Sequence, residues 1–327
     1  MPQRSRVAKI LDPRRVARVS LGLLRPSTRS AYVRALRPRA RLRPSDESCQ
    51  VCGRERAAVT TVTSAKGPAK TFCMRVCRGC GHVANPDNTH DYRKFSELEA
   101  LPLRARIGTQ DRKGREFHMA EMGLELLDRD GVSVIVYGAG RSFDNHHIAA
   151  LPQVKEVAVA DVMKLRDDAE FFDCNKPSPR PFTLVIASEV VEHFLSPSDD
   201  FPILFSFVQD DGLLVCCTNI YDGSNLARHP YVFIEGHTSY YTEKSLKVLA
   251  DRHGYFIDVR IPLVATGYGG RRKRYILFTK SRDVMNRIPE YFKDREYAPS
   301  EGPLADQELA EKLAEERAAA KRRARKA

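Results

Sequence analysis

Residues Val132 to Gly140 (VSVIVYGAG) form an apolar run that breaks into two glycines, and a second apolar run (VKEVAVAD) ends on Asp161. A buried strand that runs into glycines lets the backbone approach a ligand closely. A carboxylate about 20 residues further on can accept hydrogen bonds from a ribose diol. The pair points to a cofactor that contains adenosine. A third glycine would fall at Ser142, so the tight helix packing that a pyrophosphate demands is missing.

From Val132 onward strand-like and helix-like segments alternate, which predicts an α/β fold with a doubly wound, mostly parallel sheet. The expected strands are 132–137, 156–160, 182–187 and 213–217. A helix from Thr242 to His253 and two closing strands, Tyr255 to Val264 and Arg274 to Thr279, follow. Pro177, Pro179 and Pro181 make any strand between 161 and 181 short or displaced. Upstream, Arg115 to Leu127 (REFHMAEMGLELL) gathers Phe117, Met119, Met122, Leu124, Leu126 and Leu127 on one broad face, which predicts a helix packed on the sheet.

The formal charge of the 327-residue chain is +12, and its location decides what it means. Residues 1–44 hold twelve Arg, one Lys and one Asp, so this arm carries the whole excess. The remaining 41 basic and 41 acidic side chains cancel. Pro13, Pro26, Pro38 and Pro44 limit the arm to short amphipathic helices. It lies on an anionic membrane surface or polyanion in one reading and is a solvated extension in the other. Its composition also mimics a mitochondrial transit peptide. No apolar run approaches the roughly 20 residues of a membrane-spanning helix, and Val19 to Leu24 is too brief for a secretory signal core. The expected location is cytoplasmic, peripheral to a membrane if the arm binds one.

Five of the eight cysteines fall between positions 49 and 80. Cys49-Gln-Val-Cys52 and Cys77-Arg-Gly-Cys80 are paired knuckles separated by 24 residues, and Gly53 and Gly81 follow them where the backbone turns tightly. Two such turns can bring four thiolates into a tetrahedron around zinc. Cys73 is expected to face the interior of this ribbon. Cys174, Cys216 and Cys217 are expected to be buried small residues.

The segment Phe182 to Phe194, FTLVIASEVVEHF, resembles the fourth-strand motif of class I S-adenosylmethionine-dependent methyltransferases, an F-D-L-V-x-x-x-x-V-x-E-H pattern with Thr183 in place of the commoner Asp. Three further segments are similar to that family in the right order: Tyr137-Gly138-Ala139-Gly140 with Asp161, then Asp211-Gly212-Leu213-Leu214-Val215, then Gly236-His237-Thr238-Ser239-Tyr240-Tyr241-Thr242 before a helix ending at Gly254. The resemblance implies a seven-stranded Rossmann-like core and S-adenosylmethionine as methyl donor. It also implies donor contacts from Tyr137, Gly138, Ala139, Gly140, Asp161, Ser188 and Glu189. Val136 stands where the family usually has an acid that meets the donor's amino group, and the acid that meets the adenine is Asp173 or Asp168. A four-cysteine ribbon before such a core also resembles bacterial methyltransferases of nucleotide sugars or glycans, in which the ribbon shapes the acceptor site. Asp91-Tyr92 looks like the aromatic link of that group.

The resulting plan is a basic arm (1–44), a zinc-ribbon-like module (45–90), a methyltransferase domain (91–282) and a charged helical tail (283–327). Cys49, Cys52, Cys77 and Cys80 are the expected ligands of a structural zinc ion. Methyl transfer needs an aligned acceptor and, for a hydroxyl, a base. His193 and His237 are the candidate bases because imidazole titrates near neutral pH, and Glu192 and Glu189 can orient His193 or hold acceptor hydroxyls. Tyr240 and Tyr241 either line a sugar-binding face or pack internally, and His146-His147 is expected to open a helix rather than bind a metal. The acceptor is expected to be a small molecule or glycan. Two other readings stay open. One is a non-catalytic scaffold that keeps the fold while the ribbon and arm bind a partner. The other is a nicotinamide-dependent oxidoreductase resting on Gly138-Ala139-Gly140 and Asp161.

Overall fold

The structure is a computed structural model, which describes residues 43–44, 48–54, 58–65, 68–95, 97, 106–261 and 272–293. Residues 1–42 of the basic arm, residues 262–271 and the charged Ala-rich stretch within 294–327 lie outside the described residues. Among the described residues no helix is long and apolar enough to cross a membrane.

The chain folds around a seven-stranded sheet built from β5 (Val132–Tyr137), β6 (Val154–Asp161), β7 (Glu170–Asp173), β8 (Phe182–Ser188), β9 (Val208–Asn219), β11 (Phe256–Arg260) and β12 (Lys273–Thr279). Their order is β7-β6-β5-β8-β9-β12-β11. The first five run parallel, and β12 is antiparallel to both β9 and β11. This is the closing hairpin expected at the end of a parallel sheet. The strand expected to be short between 161 and 181 is β7, only four residues long.

Alternate residues of each strand face opposite layers. Val134, Val136, Leu184, Ile186, Leu213 and Val215 pack under α1 (Arg115–Leu127), α2 (Asp144–Ala149) and α5 (Arg282–Phe292). Ile135, Tyr137, Val185, Ala187, Leu214 and Cys216 pack under α3 (Pro197–Ser206) and α4 (Glu243–His253). Helix α5 corrects the expected tail. Val284, Ile288 and Phe292 recur every fourth residue and are buried, so the packed core runs past residue 282.

A second sheet, in the order β1-β2-β3-β4-β10, unites β1 (Arg43–Pro44), β2 (Ala58–Thr63), β3 (Thr71–Val76), β4 (Val83–Ala84) and β10 (Ser239–Tyr240). The cysteine module thus takes its last strand from the other end of the fold. Cys73 corrects the expectation of an inward thiol: it is exposed, and its neighbour Met74 is the buried residue. Side chains on a strand alternate sides, so only one of the two can fill the interior.

Phe201 is fully buried and meets Phe194, Phe205, Tyr241 and Phe278 ring to ring. Phe201→Ala is expected to cost about 3–5 kcal/mol in urea unfolding, and a loss below about 1 kcal/mol would contradict this packing.

Candidate functional site

Strands β6 and β7 add to one side of β5, and β8 and β9 to the other, so the loops leaving β5 and β8 diverge at the C-terminal edge of the sheet. Ligands of open α/β sheets bind at such a point. Gly138 opens the β5 loop at φ +72°, and a Cβ there would stand 2.5 Å from Val190 Cγ2. Glycine is therefore required both for conformation and for space. The Gly140 N–H donates to Asp161 Oδ2 at 2.9 Å, and the Val162 N–H donates to Oδ1 at 2.7 Å. The two edges named from the sequence meet. Burial pushes the Asp161 carboxyl up, and these two backbone hydrogen bonds oppose that shift.

The hollow beside this pair is lined by Ala139, Gly140, Asp161, Met163, Leu165 and Arg166 among others, and encloses only about 10 Å³. A nucleoside would need this hollow to widen. Tyr137 turns its ring into the core, where its hydroxyl donates to the Cys174 carbonyl at 3.0 Å and its edge meets Phe207. Its main chain alone belongs to the loop. Of the two acids weighed for the adenine, Asp173 ends β7 in register with Asp161. Asp168 is occupied by Arg166 and His146, each at 2.6 Å.

At the end of β8, Ser188 keeps a buried hydroxyl without a hydrogen-bond partner. Glu189 adopts φ +57° and forms an ion pair with Lys273. Arg115, in the first turn of α1, is largely buried, and its Nε–H has no partner. Glu116 accepts from the Ser142 hydroxyl at 3.0 Å, and burial, opposed by Arg115, pushes its carboxyl up to about 7. Glu116 and Asp144 are both buried carboxyls, whereas Val136, near the end of β5, is apolar.

Past β8, Glu192, His193 and His237 converge, with ligand-type atoms within 4.8 Å of one another. Glu192 is fully buried and accepts from the hydroxyls of Tyr231 and, at 3.0 Å, Thr218. It therefore braces the floor. The His193 Nδ1–H donates to the Gly236 carbonyl at 2.8 Å and lies 3.1 Å from Tyr92 Oη. A carbonyl only accepts, so His193 Nε2 keeps its lone pair. The His237 ring crosses that of His193 at 4.8 Å and lies 4.3 Å from Tyr231. Burial, then the neighbouring His193, pushes the His237 imidazole down to about 3. His237 is thereby held neutral. Tyr240 and Tyr241 are both buried and hydrogen-bonded to backbone carbonyls. His147 donates to the Thr109 carbonyl at 2.8 Å, as befits a structural pair.

The four knuckle cysteines form the other cluster. Cys49 and Cys80 Sγ are 3.6 Å apart, Cys52 and Cys77 Sγ 3.5 Å, and all four lie within 4.8 Å of one another. A tetrahedral zinc with bonds of about 2.3 Å sets sulfurs about 3.8 Å apart, so the cluster fits that ion. Each knuckle is tied to α4: the Thr242 hydroxyl donates to the Cys80 carbonyl at 2.6 Å, and Arg252 donates to the Val51 carbonyl at 2.5 Å.

Arg115, Lys273 and Tyr231 were not singled out by the sequence. Arg115 left one signal, a cation in the first turn of a helix, where the macrodipole disfavours it.

Residues 113–258 match the family model described as a methyltransferase domain. No curated protein gives a significant sequence match. Among solved structures, the 1,6-didemethyltoxoflavin N1-methyltransferase of Burkholderia thailandensis, with S-adenosylhomocysteine bound, is 15% identical at TM-score 0.38, covering 50% of this chain and 76% of that one. The plantazolicin methyltransferase BpumL, also with S-adenosylhomocysteine, is 13% identical at TM-score 0.38, covering 51% and 82%. An O-methyltransferase family protein of Burkholderia thailandensis is 13% identical at TM-score 0.40, covering 50% and 55%.

The His237 environment has a pH consequence. As pH falls from 6.5 toward 3, the unfolded chain takes up a proton at this residue that the folded chain refuses, so stability at this site is lost across that window. Histidine ¹⁵N spectra of the folded protein are expected to show His237 neutral from pH 8 down to pH 5, and a midpoint near pH 6.5 would contradict the burial described.

Proposed function

We propose that this chain, whose residues 113–258 match a methyltransferase domain family model, transfers a methyl group from S-adenosylmethionine to a small-molecule or glycan-linked acceptor. The observation that carries the proposal is the convergence of the Gly138–Gly140 turn with Asp161 at the point where the strand order reverses. The donor supplies a sulfonium methyl with a good leaving group. The protein's share is alignment and proton removal. In this reading Asp161 receives the ribose diol, and the unpartnered Nε–H of Arg115 receives the donor's carboxylate. His193 Nε2 would take the proton that a hydroxyl acceptor gives up as it gains the methyl group. His193 suits this role because its tautomer is set by Gly236.

Cys49, Cys52, Cys77 and Cys80 would hold a structural zinc ion, keeping both knuckles closed against α4. The arm would add an electrostatic tether to an anionic membrane or polyanion through the excess of arginine in residues 1–44. One observation favours the non-catalytic scaffold instead: the hollow beside Asp161 is nearly closed.

Calorimetry with S-adenosylhomocysteine separates the two. The enzyme reading expects saturable binding by the full chain and by a chain lacking residues 1–44. Asp161→Ala is expected to weaken it by about 10-fold or more, roughly 1.4 kcal/mol. Absence of binding at millimolar ligand leaves the scaffold. Metal analysis is expected to find one zinc per chain, lost with a lower Tm in Cys77→Ser, and a metal-free folded protein would remove zinc from the account.

A further inference from the structure

We infer that Asn88, contributed by the cysteine module, is the positioning residue that sets the tautomer of His193, an inference that rests on His193 acting as the base. Asn88 is buried in the turn after β4. One hydrogen of its amide goes to the Ile234 carbonyl at 2.6 Å and the other to the His237 carbonyl at 2.9 Å. Its backbone carbonyl accepts the Gly236 N–H at 3.0 Å. Segment 234–237 therefore wraps around a single residue from another part of the fold, its two ends held by the side-chain amide.

This wrapping aims one group. The Gly236 carbonyl accepts the His193 Nδ1–H at 2.8 Å, and that bond keeps the hydrogen on Nδ1 and the lone pair on Nε2. Gly236 has little room to turn elsewhere. It sits at φ +84°, and a Cβ on it would stand 2.6 Å from Tyr92 Oη and 3.1 Å from His193 Nδ1. The Glu235 side chain is held from the same module, by His90 Nδ1 at 2.7 Å. Neighbouring Asn85 resembles Asn88 in burial and chemistry. It binds the segment on either side, its N–H donating to the Thr238 carbonyl at 2.7 Å and its Nδ2 to the Val232 carbonyl at 3.4 Å. It makes no bond to residues 234–237 among those described.

Asparagine suits this place because it donates twice. Aspartate has almost the same shape and no hydrogen to give. Asn88→Asp would set a carboxylate against two buried carbonyl oxygens, forcing the 234–237 segment away and taking the Gly236 carbonyl with it.

The test uses the full chain with ¹⁵N-labelled histidine at pH 8, with and without S-adenosylhomocysteine, so that no acceptor is needed. Wild type is expected to show His193 as the Nδ1–H tautomer alone. Asn88→Asp is expected to show the Nε2–H tautomer, with affinity for S-adenosylhomocysteine within about 3-fold of wild type, because the donor site is built from β5 and β6. Gly236→Ala displaces the same carbonyl from the opposite side and is expected to give the same change, which keeps the test decisive if Asn88→Asp does not fold. Asn85→Ala is expected to leave the Nδ1–H tautomer in place. Retention of Nδ1–H in both Asn88→Asp and Gly236→Ala, an Nε2–H tautomer in wild type, or its appearance in Asn85→Ala would each overturn the inference. A wild-type chain that does not bind S-adenosylhomocysteine removes the enzyme reading instead, and the tautomer measurement reports that separately.

Discussion

Everything in the molecule is arranged by the reversal of strand order at β5. A parallel sheet that grows outward in both directions from one strand must send the loops at its C-terminal edge to opposite sides, and the crevice between them is where ligands of such sheets bind. Here that crevice collects the Gly138–Gly140 turn, Asp161, the end of β8 with Ser188 and Glu189, and the buried cation of Arg115. Apart from the adjacent Ser188 and Glu189, these groups are at least 20 residues apart in sequence. The topology brings them together, and the glycines allow the approach.

The second constraint is the union of the cysteine module with the far end of the fold. Strand β10 pairs with β4, so the segment that carries His237 is an edge of the module's own sheet. Thr242 and Arg252 tie the two knuckles to opposite ends of α4. A cluster of four cysteines placed early in the chain thereby supports the segment that carries His237. The division of labour is physical: the parallel sheet positions the Gly138–Gly140 turn and Asp161, and the module holds the loop that carries Gly236 and His237.

Much of the fold was legible because its signals are local. Strand β5 was placed to the residue, since all six of its side chains are buried and the glycines mark its end. The helix before it was placed equally well by its apolar face. Strand β9 proved longer than expected, 208–219, because Gln209, Asp210 and Asp211 extend it as polar residues beyond the apolar centre. Helix α5 was hidden by charge: its buried residues Val284, Ile288 and Phe292 are interspersed with Arg, Asp and Glu. Cys73 was assigned to the wrong face because a strand of mixed composition does not reveal which of its two faces is inward. The site divides in the same way. The glycine turn, Asp161, the knuckles and the two histidines are motif residues. Arg115, Lys273 and Asn88 gain their meaning only from tertiary contact, Asn88 from a loop 146 residues away.

The central claim is that the turn leaving β5 and the acid ending β6 receive a nucleoside. A crystal structure of the protein soaked with S-adenosylhomocysteine tests it most directly. The account predicts the ribose hydroxyls on Asp161, Met163 or its neighbours Leu165 and Arg166 shifted to widen the hollow they line, and the amino-acid end directed toward Arg115. A nucleoside bound elsewhere on the protein, or the hollow still empty of nucleoside at saturating ligand, would contradict it.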